Sequence, residues 1–501
     1  MSDTAMPEPA RARPGPGGAR GAVPATGTGT GTGTAQVTTT STVAAGVFAA
    51  GHLGELTQQV PFELVDAVLE QTRATQQRLR ELPSRVGVYF VLALGLFPAL
   101  GYGKVWGKLV AGLRGLGVAC PSDKALRDLR RRLGPAPVKA LFEVLAGPVA
   151  GPRTPGVRFG RFRTVAFDGC TSIKVADSER NRAWLGKLRA ALGVTGYPAV
   201  ELMTLVETGT RALLGAVFGP PAVGETDYAR RLLGLLGPDM LVLADRGFDG
   251  AEFLAELAAT GADYLVRLRG NRRLPVLARF EDGSFLSRLG GHVVRIICAD
   301  ITVTCADGTR YTATYRLATS LHDHRRYPAR ALIQLYHERW EHELAYLALR
   351  HTLLQGRVLR SADPAGLEQE LWALLALYQS LRRAMVTAVE TVPGTDPDRA
   401  SFTTALTTAQ DLLVRCQNVI TDRVDLAGDI GRAVLADLLP PRRPRTSVRK
   451  VKSPLSRYNK KDPYRPDRST PITALTITID DPGTPHAATH RAQCLTSAPG
   501  P

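Results

Sequence analysis

Neither a disulfide framework nor a membrane segment is written into this chain. Its 501 residues include six cysteines, at 120, 170, 298, 305, 416 and 494, and no two are spaced Cys-x2-Cys. That scatter excludes a disulfide scaffold and a zinc ribbon, and fits a reducing cytoplasm. The one membrane candidate is the uncharged run from Val86 to Gly103, which holds four glycines, a central Pro98 and two tyrosines. A spanning helix needs about 20 predominantly apolar residues, so this run reads as a buried core helix. The N-terminal MSDTAMPEPARARPGPGG has no apolar stretch of the kind a secretory signal requires. GYGKVWGK (101–108) has neither P-loop spacing nor a Ser or Thr after its lysine, leaving nucleotide binding unsupported. The histidines of HERWEH (337–342) are five apart, about 140° around a helix, and so do not form a zinc-protease pair.

What the chain has in excess is positive charge. Lys and Arg outnumber Asp and Glu by 63 to 46, for a formal net charge of +17. An excess of that size favours a polyanionic partner. It is concentrated between 441 and 470, where eleven Lys/Arg face only Asp462 and Asp467. Prolines run through this stretch, so 441–501 is expected as an extended, disordered basic arm that binds phosphates.

The length allows roughly two to four structural units. Residues 1–55, rich in Ala, Pro, Gly and Thr, bury too little to order themselves and are expected as a disordered tail. Apolar residues recur at helical spacing over 56–150, predicting a helical N-terminal domain. Within it Ser122 and Gly134 bracket a helix whose Leu126, Leu129 and Leu133 face one way, with Lys124, Arg127 and Arg131 opposite. That basic face makes Arg127 and Arg131 candidate DNA contacts. Over 160–400 the order is strand, strand, strand, helix, strand, helix, strand, then more strands at 271–330, then helices. Further helices are expected over 401–440.

Two carboxylates stand at the ends of apolar strands, in VAFDGCTSIKV (Asp168) and LVLADRGFDG (Asp245). α/β sheets present acids to a cleft in this way. A third element lies on the helix around 336–350. Tyr336, Arg339, Glu343 and Arg350 are spaced three, four and seven apart, which at about 100° per residue puts them within a stripe of about 60°. The neighbouring acids Asp177, Asp249, Glu338 and Glu341 read as surface charges.

Asp-Gly after one strand, Asp-Arg-Gly-Phe after another, and Tyr-x2-Arg-x3-Glu-x6-Arg on a helix together resemble a DDE transposase of the insertion-sequence-four family. The resemblance spans roughly residues 60–460, including GYPAVELMTLVE, GADYLVRLRGN and LRSADP. It implies a ribonuclease H-like α/β core with a β-rich insertion, behind an all-helical N-terminal domain. It also implies catalytic and metal-binding roles for Asp168, Asp245 and Glu343, with two Mg²⁺ ions, or Mn²⁺ in their place. Three acids suit that chemistry, because hard divalent ions prefer carboxylate oxygens while neutralising the phosphate. Tyr336, Arg339, Arg350 and Arg246 are then expected to contact DNA. Implied partners are the element's terminal inverted repeats, target DNA and a second copy of the chain, in a cytoplasmic, nucleoid-associated setting. The alternative is a catalytically inactive relative acting as a DNA-binding protein. Two departures stand out. Arg350 replaces the usual lysine, and no Trp lies between 185 and 339, so an aromatic wedge would have to come from Phe280, Phe285, Tyr311 or Tyr315.

Overall fold

A computed structural model of the chain describes residues 52–78, 80–113, 118–187, 189–190, 193–194, 196–338, 346, 348–417, 425–441, 445–446, 450–451, 460–461 and 470–480. The first described residues are already packed, with His52, Leu53, Glu55 and Leu56 buried, so the structured part reaches a few residues before the expected boundary at 55. Five helices follow: α1 (Phe62–Gln71), α2 (Ser84–Leu96), α3 (Tyr102–Leu109), α4 (Asp123–Leu133) and α5 (Ala136–Leu145). The first is shorter than the periodicity through Leu79 predicts, because the chain leaves it through Arg73 at φ +55. Helix α2 is the run weighed as a membrane candidate. Twelve of its residues are buried in the protein core, and no helix among the described residues is long and apolar enough to cross a membrane. At α4 the local signals hold: Ser122 accepts from the Ala125 amide at 3.2 Å, and Gly134 ends the helix at φ +67.

Largely apolar runs between turn residues form the central sheet: β1 (Phe162–Lys174), β2 (Ala199–Glu207), β3 (Leu213–Gly219), β4 (Met240–Ala244) and β5 (Asp263–Arg267). Their spatial order is β3-β2-β1-β4-β5. The pairs β1–β2 and β2–β3 are antiparallel, while β1–β4 and β4–β5 are parallel. Helices α6 (Glu225–Arg230) and α7 (Ala251–Ala259) lie on one face, where Val165, Phe167 and Val242 meet Phe253, Leu254 and Leu257. Helix α6 ends sooner than ETDYARRLLGLLG predicts, and a 3-10 turn at Leu233–Leu235 replaces its second half. Gly234 and Gly237 weaken helix continuation there. Helix α8 (Ala329–Glu338) covers the opposite face, burying Leu332 and Ile333 against Ala166, Leu241 and Leu243. This is the ribonuclease H-like arrangement.

The strands expected as an insertion prolong the same sheet. They are β6 (Phe285–Leu289), β7 (His292–Cys305) and β8 (Arg310–Thr319). Strand β8 pairs with β5, and β7 pairs with β8 and β6. A further strand, β9 (Thr470–Ile479), runs antiparallel along β7 from Ala299 to Cys305. So 441–501 is not a disordered arm throughout. In TPITALTITI, Ile472, Leu475, Ile477 and Ile479 reach the core under α8, and the open edge of β7 supplies the pairing partner.

Helices α9 (Pro364–Glu390), α10 (Phe402–Arg415) and α11 (Gly428–Ala436) complete the fold. One hydrophobic core joins them to α1–α5 and to Val200, Leu202 and Leu213 of the sheet. The helical N-terminal region therefore shares its interior with the C-terminal helices.

Candidate catalytic site

Asp168 does not sit at a strand tip. Strand β1 continues to Lys174, but its parallel neighbour β4 stops at Ala244, so Asp168 stands where the ladder opens. Backbone register then decides which residues meet. Strands β1 and β4 pair from Arg163↔Met240 to Ala166↔Leu243, and β4 and β5 from Leu241↔Asp263 to Ala244↔Val266. Carried on by one or two residues, that register sets Asp168, Asp245 and Arg267 in one row across three parallel strands, about 4.8 Å apart. Ala166, Leu243 and Leu265 all lie in the core under α8. Extended by period-two alternation, that register assigns the three row residues to the same face.

Local contacts hold each member. The Asp245 backbone stays extended (φ −84, ψ 178), and its Oδ1 accepts the Gly247 amide at 2.7 Å, capping the turn Arg246–Phe248. Phe248 is buried against Phe167 and Phe253, with ring centroids 5.9 and 5.7 Å away, which fixes that turn to the sheet. The Arg267 guanidinium stacks 4.7 Å from the Tyr315 ring centroid and donates to the Thr314 carbonyl at 3.0 Å. Space beside Gly169 is tight: a Cβ there would lie 3.1 to 3.3 Å from Met203 Cε, Glu225 Oε1 and Glu201 Oε1. Two acids that no sequence motif singles out, Glu201 and Glu225, therefore crowd the residue after Asp168.

Glu343 and Arg339 lie outside the described residues. Both flanks of their segment are tied to the aspartate strands. Tyr336 Oη donates to the Ala244 carbonyl at 3.1 Å, one residue before Asp245. Tyr346 Oη donates to the carbonyl of Asp168 itself and lies 3.0 Å from Thr204 Oγ1. Burial, and then the nearby Asp168 carboxylate, push the Tyr346 phenol well above its usual pKa, so it stays protonated. Among the described residues, no three His, Cys, Asp or Glu side chains are grouped as metal ligands. Asp168 and Asp245 form a pair of hard oxygen donors on one face, and that donor chemistry fits a divalent ion.

The chain matches the family described as transposase DDE domain over residues 163–379, and insertion element 4 transposase N-terminal over 50–143. It is 26% identical over 427 residues to the Escherichia coli transposase InsG of insertion sequence element IS4, covering 82% of this chain and 93% of that one. The chain belongs to the insertion-element-4 family of DDE transposases. A second E. coli relative, putative transposase InsZ, is 26% identical over 140 residues, 28% of this chain and 46% of its own. A piggyBac transposase solved in a synaptic complex with hairpin DNA aligns over 77% of this chain and 84% of its own, at 10% identity and a TM-score of 0.35. The transposase is thus an enzyme that acts on DNA, with a domain type that uses divalent metal ions.

Several expected contacts fall elsewhere. Tyr336 is 2% exposed, packed edge-on to Tyr315, and its hydroxyl donates to the Ala244 carbonyl, one residue before Asp245. Arg350 lies in a π-helical turn, Ala348–Leu353, where 100° per residue does not apply. Its guanidinium donates to His351 Nε2 at 2.9 Å. Arg246 is exposed beside Asp245, as are Arg127 and Arg131 on α4, the last paired with Asp128 at 3.5 Å. Asp249 is no surface charge: it is 1% exposed and bound by Arg272. Of the possible aromatic wedges, Phe285, Tyr311 and Tyr315 are buried, and Phe280 is stacked on His324 at 4.6 Å. Arg267 and Tyr346 carry no motif of their own in the sequence, and only the strand register and the Tyr346 hydrogen bond to Asp168 draw attention to them.

Proposed function

We propose that Asp168, Asp245 and Glu343 hold the divalent ions with which this transposase cuts DNA at its element's ends and joins the freed 3′-hydroxyl to target DNA. What supports this reading is the parallel pairing that ends at Ala166↔Leu243, since carrying it on two residues brings Asp168 level with Asp245. In the sequence Glu343 falls between Tyr336 and Tyr346, whose hydroxyls donate to the Ala244 and Asp168 carbonyls. Divalent ions held there, two of Mg²⁺ or Mn²⁺, would supply an activated nucleophile and neutralise the leaving oxygen.

The chain's own groups do the rest. Arg267, next in the row, offers a fixed guanidinium to a phosphate oxygen, and its stacking on Tyr315 limits the geometries it can take. Arg246, exposed beside Asp245, adds a phosphate contact, and Arg339 is proposed to add another. Arg127 and Arg131 provide a basic helical face for the terminal repeat, and a second copy of the chain would hold the other end. The setting is the cytoplasm.

The test is substitution at the three acids. Asp168→Asn, Asp245→Asn and Glu343→Gln should each bind element-end DNA within a few-fold of normal, yet neither nick it nor transfer strands with Mg²⁺ or Mn²⁺. Asp177→Asn, whose exposed carboxylate meets Lys187 at 2.7 Å, is the control and should stay active. Ca²⁺, larger and less exacting in geometry, should support binding without cleavage. Cleavage by any of the three variants at the normal rate refutes the assignment of that residue.

A further inference from the structure

Directly after Arg267 the chain enters the segment Leu268–Arg273, reading LRGNRR, whose position is set by one buried carboxylate. Asp249 Oδ2 accepts from the Arg269 amide at 3.0 Å and from Arg272 Nε at 2.8 Å. Arg272 also donates to the Asp249 carbonyl, and Arg269 Nε reaches the Arg246 carbonyl at 3.3 Å. From the other side, Arg316 Nη1 donates to the carbonyls of Arg272 at 2.9 Å and Gly270 at 3.3 Å. The loop is therefore sewn to the very turn, Arg246–Asp249, that follows Asp245.

The loop holds three arginines but has one buried acid to answer them. Arg272 takes that acid and is 28% exposed, whereas the Arg269 side chain is 59% exposed, and its nearest approach to Asp249 is a loose 3.5 Å. Arg273 is exposed and has no ion-pair partner among the described residues. A surface loop is commonly mobile. Here a fully buried carboxylate and a second arginine fix the backbone, while two guanidinium groups are left facing solvent at the catalytic end of the sheet.

We propose that Asp249 is a positioning residue whose task is to hold this loop so that Arg269 and Arg273 grip the DNA backbone beside the phosphate being cut. The inference rests on the reading of Asp168 and Asp245 as the cutting site. It gives the Asp-Arg-Gly-Phe-Asp turn two jobs: the first acid serves chemistry, and the last serves grip through arginines some twenty residues on.

The experiment uses full-length protein and a fluorescent duplex bearing one element end, with binding followed by anisotropy across a salt series and cleavage followed on gels. Replacing Arg269 and Arg273 with Ala should lower the slope of log affinity against log salt by about 1.8, since each lost phosphate contact removes about 0.9. Asp249→Asn should lower it by a similar amount, and adding it to the arginine pair should change the slope no further, because all act through one contact. KM for the end should rise several-fold in each, with kcat changed less. An unchanged slope in the arginine double variant overturns the proposal, and because both side chains are exposed this variant decides the matter even if Asp249→Asn fails to fold. Full additivity between Asp249→Asn and the arginine pair also overturns it, assigning Asp249 a structural role only. Asp168→Asn run alongside separates the two readings: it reports on cutting, while the slopes report on the loop whether or not the protein cuts.

Discussion

Tyr336 and Tyr346 each donate a hydroxyl to a carbonyl on a strand that bears an aspartate. Losing one such buried bond costs about 1 kcal/mol of stability. The larger consequence is positional, because a small displacement of a catalytic group lowers rate more than it lowers binding. Tyr346→Phe should therefore cleave at least 10-fold more slowly while binding DNA normally and melting only slightly earlier; equal cleavage rates would show that the bond is dispensable. Two other carboxylates make acid stability a residue-level test. Burial works to raise the pKa of Asp249 and of Asp282. Bonds from Arg272 and Arg269 to the first, and from Ser284, Ala329 and Arg295 to the second, more than offset it and hold both below the usual carboxylate range. A depressed folded-state pKa contributes stability above the unfolded value, near pH 3.9, that is lost as pH falls through the folded one. Replacing either Asp with Asn should destabilise the protein at pH 7 and progressively less below about pH 4. Urea midpoints measured across that range would show the gap closing, and a constant gap would refute the linkage.

Among the elements, α8 and β9 depend on residues far away in sequence. The N-terminus of α8 is capped by Asp282, whose Oδ2 accepts the Ala329 amide at 2.8 Å and which also pairs with the fully buried Arg295. A turn between strands thereby aims the helix that runs toward Glu343. Strand β9 closes the edge of β7, and Ile477 is 92% buried there at 8% exposure. Deleting 470–501 should cost on the order of 2 kcal/mol from lost apolar burial alone, and should bare a strand edge prone to aggregation. Deleting only 481–501 should leave the melting temperature unchanged. If the two truncations melt alike, the strand is not part of the stable fold. The basic stretch before β9 is consequently better tested by neutralising its lysines and arginines than by truncation, since a cut at 441 would remove the strand as well.

Across the whole molecule, Arg130 fastens the two helical regions together. Its 6% exposed guanidinium meets Glu370 at 3.2 Å, Gln369 Oε1 at 2.8 Å, Ser361 Oγ at 3.1 Å and the Tyr102 hydroxyl. Removing one partner of a buried ion pair leaves the other charge stranded, at a cost of about 3–5 kcal/mol. Arg130→Ala should lower the melting temperature by several degrees, in a single transition because α1–α5 and α9–α11 share one core. Two separate transitions would mean that the N-terminal helices fold independently. A surface replacement on the same helix, Arg127→Ala, should leave the melt unchanged and weaken only DNA binding.

Several features follow from the sequence alone. Local chemistry set the ends of α4 through Ser122 and Gly134, period-two and unbroken apolar runs set the five central strands, and the spacing of Asp168, Asp245 and Glu343 with their neighbours marked the family. These are short-range properties, decided by backbone sterics and by which side chains can face a core. Tertiary structure decided the rest. Only the register of three strands puts Arg267 beside the aspartates, and only burial separates Tyr336 and Asp249 from the exposed polar residues they resemble in the sequence. Only the open edge of β7 turns TPITALTITI from a polar tail into a strand. A charged or phenolic side chain looks alike in sequence whether it meets water or an interior partner. The difference lies in desolvation and in long-range pairing, which no window of neighbouring residues contains.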